Sequence, residues 1–205
     1  MKVKIAVLLS GGGTTLKNLI DRIAEGSLDA EIICVLSSKP GVKGLAIARE
    51  AGIPAFAVPR KAYETVDEFS TAITELVDRY EVDLVCLAGF LSLWRMPERY
   101  YGRVMNIHPA LIPLFCGKGF YGHRVHKAVV ESGVKVTGCT VHFADNRYDT
   151  GPIILQRTVP VNPGDTTDDV AARVFVEECE AYPEAIRLFA AGRLEIVENQ
   201  VRIKP

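Results

Sequence analysis

The sequence predicts an α/β fold in three layers, with a mostly parallel, Rossmann-like sheet between helices and an antiparallel extension in the C-terminal half. In the first half of the chain, short apolar runs alternate with amphipathic stretches of helix length. The runs are apolar on both faces, which is typical of strands inside a parallel sheet. In the second half, two longer strand-like runs lie only a short turn apart, which indicates an antiparallel hairpin.

The elements of the first half follow from this alternation. The predicted strands are Lys4–Leu9, Glu31–Leu36, Ala55–Val58, Leu84–Ala88 and Val104–Ile107. The predicted helices are Thr14–Glu25, Val42–Ala51, Thr65–Arg79 and a short turn near Met96–Tyr100. Helix-length connections between parallel strands cross over right-handed. Ligands of such sheets bind at the carboxyl ends of the strands.

The second half is more irregular. The predicted elements are a Gly- and Pro-rich loop at Pro109–Gly122, a helix at His123–Ser132, strands at Val134–Ala144 and Pro152–Val161 around the turn Asp145–Gly151, a helix from Thr166 to about Ala191, and a terminal hairpin of Leu194–Val197 and Val201–Ile203. The long helix is expected to continue past Pro183. With no repeat and no linker, we expect one domain, 1–205, whose α/β half (1–108) binds a nucleotide.

Composition excludes several functions. The 24 basic and 25 acidic residues give a net charge of -1, so nothing points to a nucleic-acid partner. The five cysteines are scattered without a CxxC pair, which favours reduced, buried thiols and makes a zinc site improbable. The apolar run before Ser10 is too short for an export signal or a membrane span, so we expect a cytoplasmic protein.

A glycine-rich turn, Ser10–Thr15, follows the first strand and opens the first helix. Glycines let a ligand approach the backbone, and the first N–H groups of a helix attract anions. Thr14 and Thr15 add hydroxyl donors, so a phosphate monoester is the favoured ligand. The alternative is a tight turn in which a threonine caps the helix.

Asn106 and His108 end the fifth strand two positions apart and should project to the same side. An amide N–H and an imidazole can stabilise one oxyanion, and a carboxylate would hold the imidazole charged. Asp149 is the favoured carboxylate, although it could merely begin a turn, and Asp145 is the near rival. The other three histidines, His123, His126 and His142, are expected to serve packing or capping.

Five segments together resemble the phosphoribosylglycinamide formyltransferases, a family of the folate-dependent formyltransferase superfamily. They are Ser10–Thr15, Leu87–Phe90, Asn106–Pro113, Gly138–Phe143 and Asp149–Gln156. The resemblance covers nearly the whole chain and implies the formyltransferase fold. It also implies formyl transfer from 10-formyltetrahydrofolate to the amine of glycinamide ribonucleotide in purine biosynthesis. The enzyme would use no metal and would be a monomer or a homodimer.

The resemblance also implies a role for each matching residue. Asn106, His108 and Asp149 match the catalytic trio, and direct attack by the amine is expected because no Ser or Cys nucleophile accompanies the histidine. The other matches are Gly13, Thr14 and Thr15 for the substrate phosphate, Gly89 and Glu178 for the rest of the ribonucleotide, and Phe90, Leu91, Leu93, Trp94, Val141, Asp145 and Asp149 for the folate. Residues 109–205 would form the folate-binding half.

Three departures from the family pattern accompany the match. Thr15 stands where Asn is frequent, Ser92 stands where Arg is frequent, and the loop Cys116–Gly122 is longer than in some members. Two alternatives stay open: a formyltransferase acting on another phosphorylated amine, and a non-catalytic folate- or nucleotide-binding paralogue. Relatives that act on initiator methionyl-tRNA carry a further C-terminal domain, for which 205 residues are expected to leave no room.

Overall fold

The computed structural model describes residues 2–205, which alternate between strands and helices. The strands are β1 (Val3–Leu9), β2 (Ala30–Ser37), β3 (Ala55–Ala57), β4 (Leu84–Leu87), β5 (Val104–His108), β6 (Val136–Phe143), β7 (Ile153–Pro160), β8 (Leu194–Val197) and β9 (Gln200–Ile203). The α-helices are α1 (Thr14–Ala24), α2 (Lys43–Glu50), α3 (Val66–Asp78), α4 (His123–Ser132) and α5 (Thr167–Ala190). Two short 3-10 helices lie at Arg60–Ala62 and Glu98–Tyr100.

Seven strands form one sheet in the order β3-β2-β1-β4-β5-β6-β7, and β8 and β9 form a separate pair. The pairs β1–β2, β1–β4 and β2–β3 are parallel, whereas β6 and β7 are antiparallel. This confirms the predicted mostly parallel α/β sheet with an antiparallel extension. The chain divides into two compact units, of which the first ends at Met105 and the second is Asn106–Pro205.

The first unit has β1 at its centre, between β2 and β4. Six of the seven β1 residues are buried, because the strand carries side chains into apolar surroundings on both faces. The helix α3 begins with a capping box, in which the Thr65 side chain accepts from the Glu68 N–H and the Glu68 side chain accepts from the Thr65 N–H. This accounts for the sharp start predicted at Thr65.

The second unit contains the β6–β7 hairpin, with the long helix α5 packed on both strands. A capping box between Thr166 and Asp169 starts α5. Pro183 lies buried inside the helix, which continues to Ala190, as the sequence predicted. The terminal pair β8–β9 is an antiparallel hairpin, which was also expected.

The observed boundaries differ from the expected ones by one or two residues. The strand β6 begins at Val136, two residues later than predicted, and the 3-10 turn at Arg60–Ala62 was not predicted. Cys34, Cys86 and Cys139 are buried cysteines outside any disulfide in residues 2–205, as expected. Within residues 2–205, no helix combines the length and the apolar character that crossing a bilayer requires.

Candidate active site

Asn106 and His108 lie on β5, the strand that ends in the proline-rich loop. His108 is almost fully buried, with 4% of its surface exposed, and Asn106 is partly buried. Both side chains reach Asp149, in agreement with the same-side projection expected from their i, i+2 spacing.

Asp149 occupies the turn between β6 and β7. Its φ of 57° is left-handed, a backbone conformation that non-glycine residues rarely adopt. Two residues later, a Cβ on Gly151 would stand 1.9 Å from the Phe143 carbonyl oxygen, so only glycine fits there. The turn therefore packs directly against the end of β6.

The amide of Asn106 has acceptors for both of its hydrogens. Its Nδ2 lies 3.2 Å from Oδ1 of Asp149 and 3.1 Å from Nε2 of His142. The Nδ1–H of His142 donates to the Phe143 carbonyl at 2.8 Å, and the Asn106 amide donates to the other ring nitrogen, Nε2. We expected His142 to serve packing; it is indeed buried, but it also orients the amide.

His108 is held between a carbonyl and a carboxylate. Its Nε2–H donates to the Phe115 carbonyl oxygen at 2.9 Å, while Nδ1 lies 3.7 Å from Oδ2 of Asp149. The second distance is too long for a hydrogen bond but short enough for strong electrostatic interaction. The imidazole therefore faces Asp149 with the nitrogen that does not carry the Phe115 bond.

A single loop segment contacts both His108 and Asp149. Phe115 supplies the carbonyl for His108, and the N–H of Gly117 donates to Oδ2 of Asp149 at 2.8 Å. At the base of the loop, Thr140 Oγ1 donates to the Ala110 carbonyl at 2.7 Å. The contributions of Phe115 and Gly117 come from the backbone, so residue types gave no signal for them.

Burial and charge act in opposite directions on the two ionisable groups. Burial lowers the pKa of His108 below 6.5, and the opposing effects of Asp149 and the Phe115 carbonyl do not reverse the shift. For Asp149, burial raises the pKa, but His142, His108 and the Gly117 N–H together outweigh it, and the net shift is downward. At pH 7 the ligand-free pair is therefore a neutral imidazole beside a carboxylate. We expected Asp149 to hold the imidazole charged; Asp149 does raise the pKa of His108, but burial has the larger effect and the net shift is downward.

The cluster suits chemistry at a carbonyl group. It offers an amide donor, an imidazole and a carboxylate, the set that stabilises an oxyanion and moves a proton. Cys116 is the nearby thiol, and burial together with the charge of Asp149 raises its pKa, so it is protonated and a weak nucleophile. A cavity of about 620 Å³ borders Asp149 and Cys116. Among residues 2–205, no group of three or more His, Cys, Asp or Glu side chains could hold a metal ion.

In the first unit, the glycine-rich turn leaves the start of α1 without a side-chain cap. Gly13 is the N-cap of α1 with φ 74°, and no side chain caps this helix. The alternative of a threonine cap is therefore not what the structure shows. A Cβ on Gly13 would stand 2.6 Å from the Cα of Gly44, so the turn packs directly on α2. Thr14 is exposed and Thr15 is half-buried.

The segment expected to hold the folate follows β4. Gly89 has φ 73° and open space around it, and Leu91 is 38% exposed. Phe90 stacks on Phe69, with ring centroids 6.2 Å apart. Trp94 is buried and its indole N–H donates to Thr74 of α3 at 3.0 Å, so its ring anchors the segment to that helix. Leu93 and Ser92 are half-buried.

The remaining expected site residues lie in the second unit. Glu178 is on α5, where burial raises its pKa to about 7. Asp145, the rival of Asp149, accepts from the Thr150 hydroxyl at 2.8 Å and from the Arg147 N–H at 2.8 Å, so it shapes the turn. Val141 is buried in β6, opposite Leu155 of β7.

The other two histidines differ in their surroundings. His123 is exposed and pairs with Asp168 at 2.9 Å. His126 is buried without a partner for Nδ1, and burial lowers its pKa to about 4. The His123 pair involves no member of the trio, whereas the charge of His108 contributes, after burial and His123, to the lowered pKa of His126.

Comparison with known proteins places these features in context. The sequence model of the family described as formyl transferase matches residues 3–186. A phosphoribosylglycinamide formyltransferase of Haemophilus influenzae is 37% identical over 198 residues, which cover 96% of this chain and 91% of that protein. The Trifunctional purine biosynthetic protein adenosine-3 of Gallus gallus is 43% identical over 199 residues, which cover 96% of this chain and only 19% of that protein.

A solved structure is similar over the same length. The glycinamide ribonucleotide transformylase 1 of Symbiobacterium toebii has a TM-score of 0.92 and 44% identity, covering 100% of this chain and 95% of the other. The chain thus spans about a fifth of the length of the trifunctional relatives but most of the length of the bacterial ones.

Proposed function

The chain belongs to the formyl transferase family and is a formyltransferase enzyme, and we propose that it formylates the amine of glycinamide ribonucleotide with 10-formyltetrahydrofolate in purine biosynthesis. The observation that carries the mechanism is the convergence of the Asn106 amide and the His108 imidazole on the Asp149 carboxylate. The family supports the choice of a folate donor, and the relatives of similar length support the choice of the ribonucleotide.

In this proposal, the amine nitrogen attacks the formyl carbon directly. A bond forms between them, a tetrahedral oxyanion develops, and the bond from that carbon to the folate nitrogen then breaks. The protonated Cys116 and the absence of a serine from the described cluster argue against a covalent enzyme intermediate. The Asn106 amide and the His108 imidazole stabilise the oxyanion, and removal of one such donor typically costs about 10²–10³ in rate.

One proton must move during the reaction, because the amine loses a proton and the folate nitrogen gains one. The neutral His108 can accept one proton at Nδ1, which lies 3.7 Å from the ionised carboxylate of Asp149. Taking it up there creates an ion pair, and returning it to the folate nitrogen restores the resting state. A group positioned in this way contributes roughly 10²–10⁴ in rate.

The roles of the binding residues are part of the proposal. Gly13, Thr14 and Thr15 bind the substrate phosphate through N–H and hydroxyl donors at the start of α1. Gly89 contacts the ribonucleotide through its backbone, and Glu178 accepts from its ribose hydroxyls. The folate contacts are Phe90, Leu91, Leu93, Trp94, the Val141 backbone, Asp145 and Asp149. We propose cytoplasmic activity of a monomer or a homodimer.

A spectrophotometric assay tests the function. The enzyme is mixed with glycinamide ribonucleotide and 10-formyltetrahydrofolate, and the absorbance of the deformylated folate is followed. Turnover with this amine supports the proposal; turnover only with another phosphorylated amine, such as a nucleotide-linked amino sugar, would redirect it. Binding of both compounds without turnover would identify a non-catalytic paralogue. Rapid-quench mass spectrometry that detects a formylated protein would overturn direct attack.

A further inference from the structure

We propose that Ser10 is a positioning residue that clamps the segment Gly89–Leu91 to the phosphate turn, and that both substrates depend on this clamp. The inference rests on the proposed function, because that function gives the turn to the ribonucleotide and the segment to both substrates. The clamp is independent of the catalytic trio, since every contact that supports it lies in the first unit.

The clamp has two hydrogen bonds between Ser10 and the segment. The Ser10 N–H donates to the Gly89 carbonyl at 3.0 Å, and the Leu91 N–H donates to Ser10 Oγ at 2.9 Å. Ser10 immediately follows β1, and Gly89–Leu91 follows the neighbouring strand β4. A main-chain bond and a side-chain bond from one residue thus fix the height and the tilt of the segment relative to the turn.

A second serine forms a hydrogen bond with the Ser10 hydroxyl. Ser10 Oγ and Ser38 Oγ are 2.6 Å apart, and the two residues are 3% and 4% exposed. Ser38 directly follows β2, the other neighbour of β1, and its N–H donates to the Leu9 carbonyl at 3.1 Å. The hydroxyl pair therefore joins the loops after three adjacent parallel strands. With water almost excluded, no solvent molecule can replace a lost partner without rearrangement.

The location explains why the clamp should affect binding more than chemistry. Ser10 is three residues before Gly13 and next to the segment that presents Gly89 and Leu91. Removal of the Ser10 hydroxyl leaves the Leu91 N–H and the Ser38 hydroxyl without their partner, and the segment can then move away from the turn. The donors for the phosphate and the backbone for the folate would lose their fixed separation, whereas the catalytic trio keeps its own contacts.

The test compares Ser10→Ala with Ser37→Ala in the full chain. Ser37 is a matched control, since it is fully buried at the end of β2 and its hydroxyl donates to the carbonyl and accepts from the N–H of Lys39, in its own loop. In Ser10→Ala, the KM values for both substrates should rise about tenfold, the factor that one unsatisfied buried donor typically costs, with kcat within about threefold. In Ser37→Ala, both KM values should stay within about twofold.

Amide hydrogen exchange by NMR gives a readout that needs no substrate. The Leu91 amide should exchange at least about tenfold faster in Ser10→Ala than in the wild type, and at the wild-type rate in Ser37→Ala. Ser38→Ala, which retains the Leu91 bond, should raise the KM values and the Leu91 exchange rate about threefold. This variant replaces Ser10→Ala if Ser10→Ala does not fold.

Two results would overturn the inference. One is wild-type Leu91 exchange and wild-type KM values in Ser10→Ala. The other is an equal rise in KM in Ser37→Ala, which would indicate a general effect of losing a buried hydroxyl. If the wild-type enzyme transfers no formyl group, the proposed function fails, and the exchange rates alone decide whether the clamp exists.

Discussion

Replacing Asp149 with asparagine removes the charge on which the proposed proton transfer depends, with little change in shape. The carboxylate accepts from the Gly117 N–H at 2.8 Å through Oδ2 and from Asn106 Nδ2 at 3.2 Å through Oδ1. An asparagine has only one oxygen, so its NH₂ group must face one of these two donors. One hydrogen bond is lost and two donors are brought together.

The expected cost follows from these contacts. An unsatisfied buried donor costs about 1–3 kcal/mol of stability, and loss of correct proton handling costs roughly 10²–10⁴ in kcat. Because Asp149 raises the pKa of His108, its removal should lower that pKa further. The limb of the kcat profile that reports His108 should therefore shift to lower pH.

The pH dependence of stability gives an independent check. Asp149 has a lowered pKa in the folded protein, so it stabilises the fold above its unfolded pKa of about 3.9. This stabilisation is lost as the pH falls through the folded-state pKa. Chemical denaturation should thus show the largest difference between wild type and Asp149→Asn at neutral pH, and a shrinking difference in acid.

Asp145→Asn is the matched control, since Asp145 lies in the same turn but bonds to Thr150 and Arg147. Its kcat should stay within about threefold of the wild type, as is usual for a residue that does not carry the chemistry. A role of Asp149 in proton transfer is refuted if Asp149→Asn keeps half of the wild-type kcat with an unchanged pH profile, or if Asp145→Asn lowers kcat by the same factor.

Three further substitutions test the surroundings of the site. Gly13→Val places a Cβ 2.6 Å from the Gly44 backbone at φ 74° and should raise the KM for the ribonucleotide by more than about tenfold. The control Gly26→Val, at φ 77° in open space, should lower the stability of the protein without changing this KM. Equal KM values in the two variants would contradict a phosphate-binding turn. Gly151→Ala, whose Cβ meets a carbonyl oxygen at 1.9 Å, should cost about 3 kcal/mol or more in denaturation and also lower kcat; a stable, fully active variant would show that the turn yields. Glu178 has a pKa of about 7, so calorimetry should show ribonucleotide affinity falling as the pH drops below 7. Glu178→Gln should abolish this dependence and Glu177→Gln should retain it; a pH dependence that persists in Glu178→Gln would exclude Glu178 as the acceptor.

Strand and helix periodicity was enough to predict the fold, because β1 and its neighbours are apolar on both faces and the helices carry clear start signals. The capping boxes at Thr65 and Thr166 explain why two helix starts were predicted to within a residue. The start of β6 was predicted two residues too early, because Val134 and Lys135 continue the apolar and polar alternation without being part of the strand. Local pattern carries no information on where the pairing with β7 ends.

The site was only partly predictable. The spacing of Asn106 and His108 predicts that they share a face, and the structure shows this. His142 was missed because a histidine between two apolar strand residues has the pattern of a packed core residue. Its only signal was a polar side chain in a strand buried on both faces. The Phe115 carbonyl and the Gly117 N–H were inaccessible to sequence reasoning, since any residue type could supply them.

Both hydrogens of the Asn106 amide and the Nε2–H of His108 are donated to protein acceptors in the ligand-free chain. An incoming neutral carbonyl competes poorly for such donors, whereas an alkoxide-like oxygen competes well. The arrangement acts as a threshold that withholds stabilisation from the ground state and grants it to the charged intermediate. Idle hydrolysis of the formyl donor should be slow for the same reason, because water is too weak a nucleophile to reach that threshold without the amine.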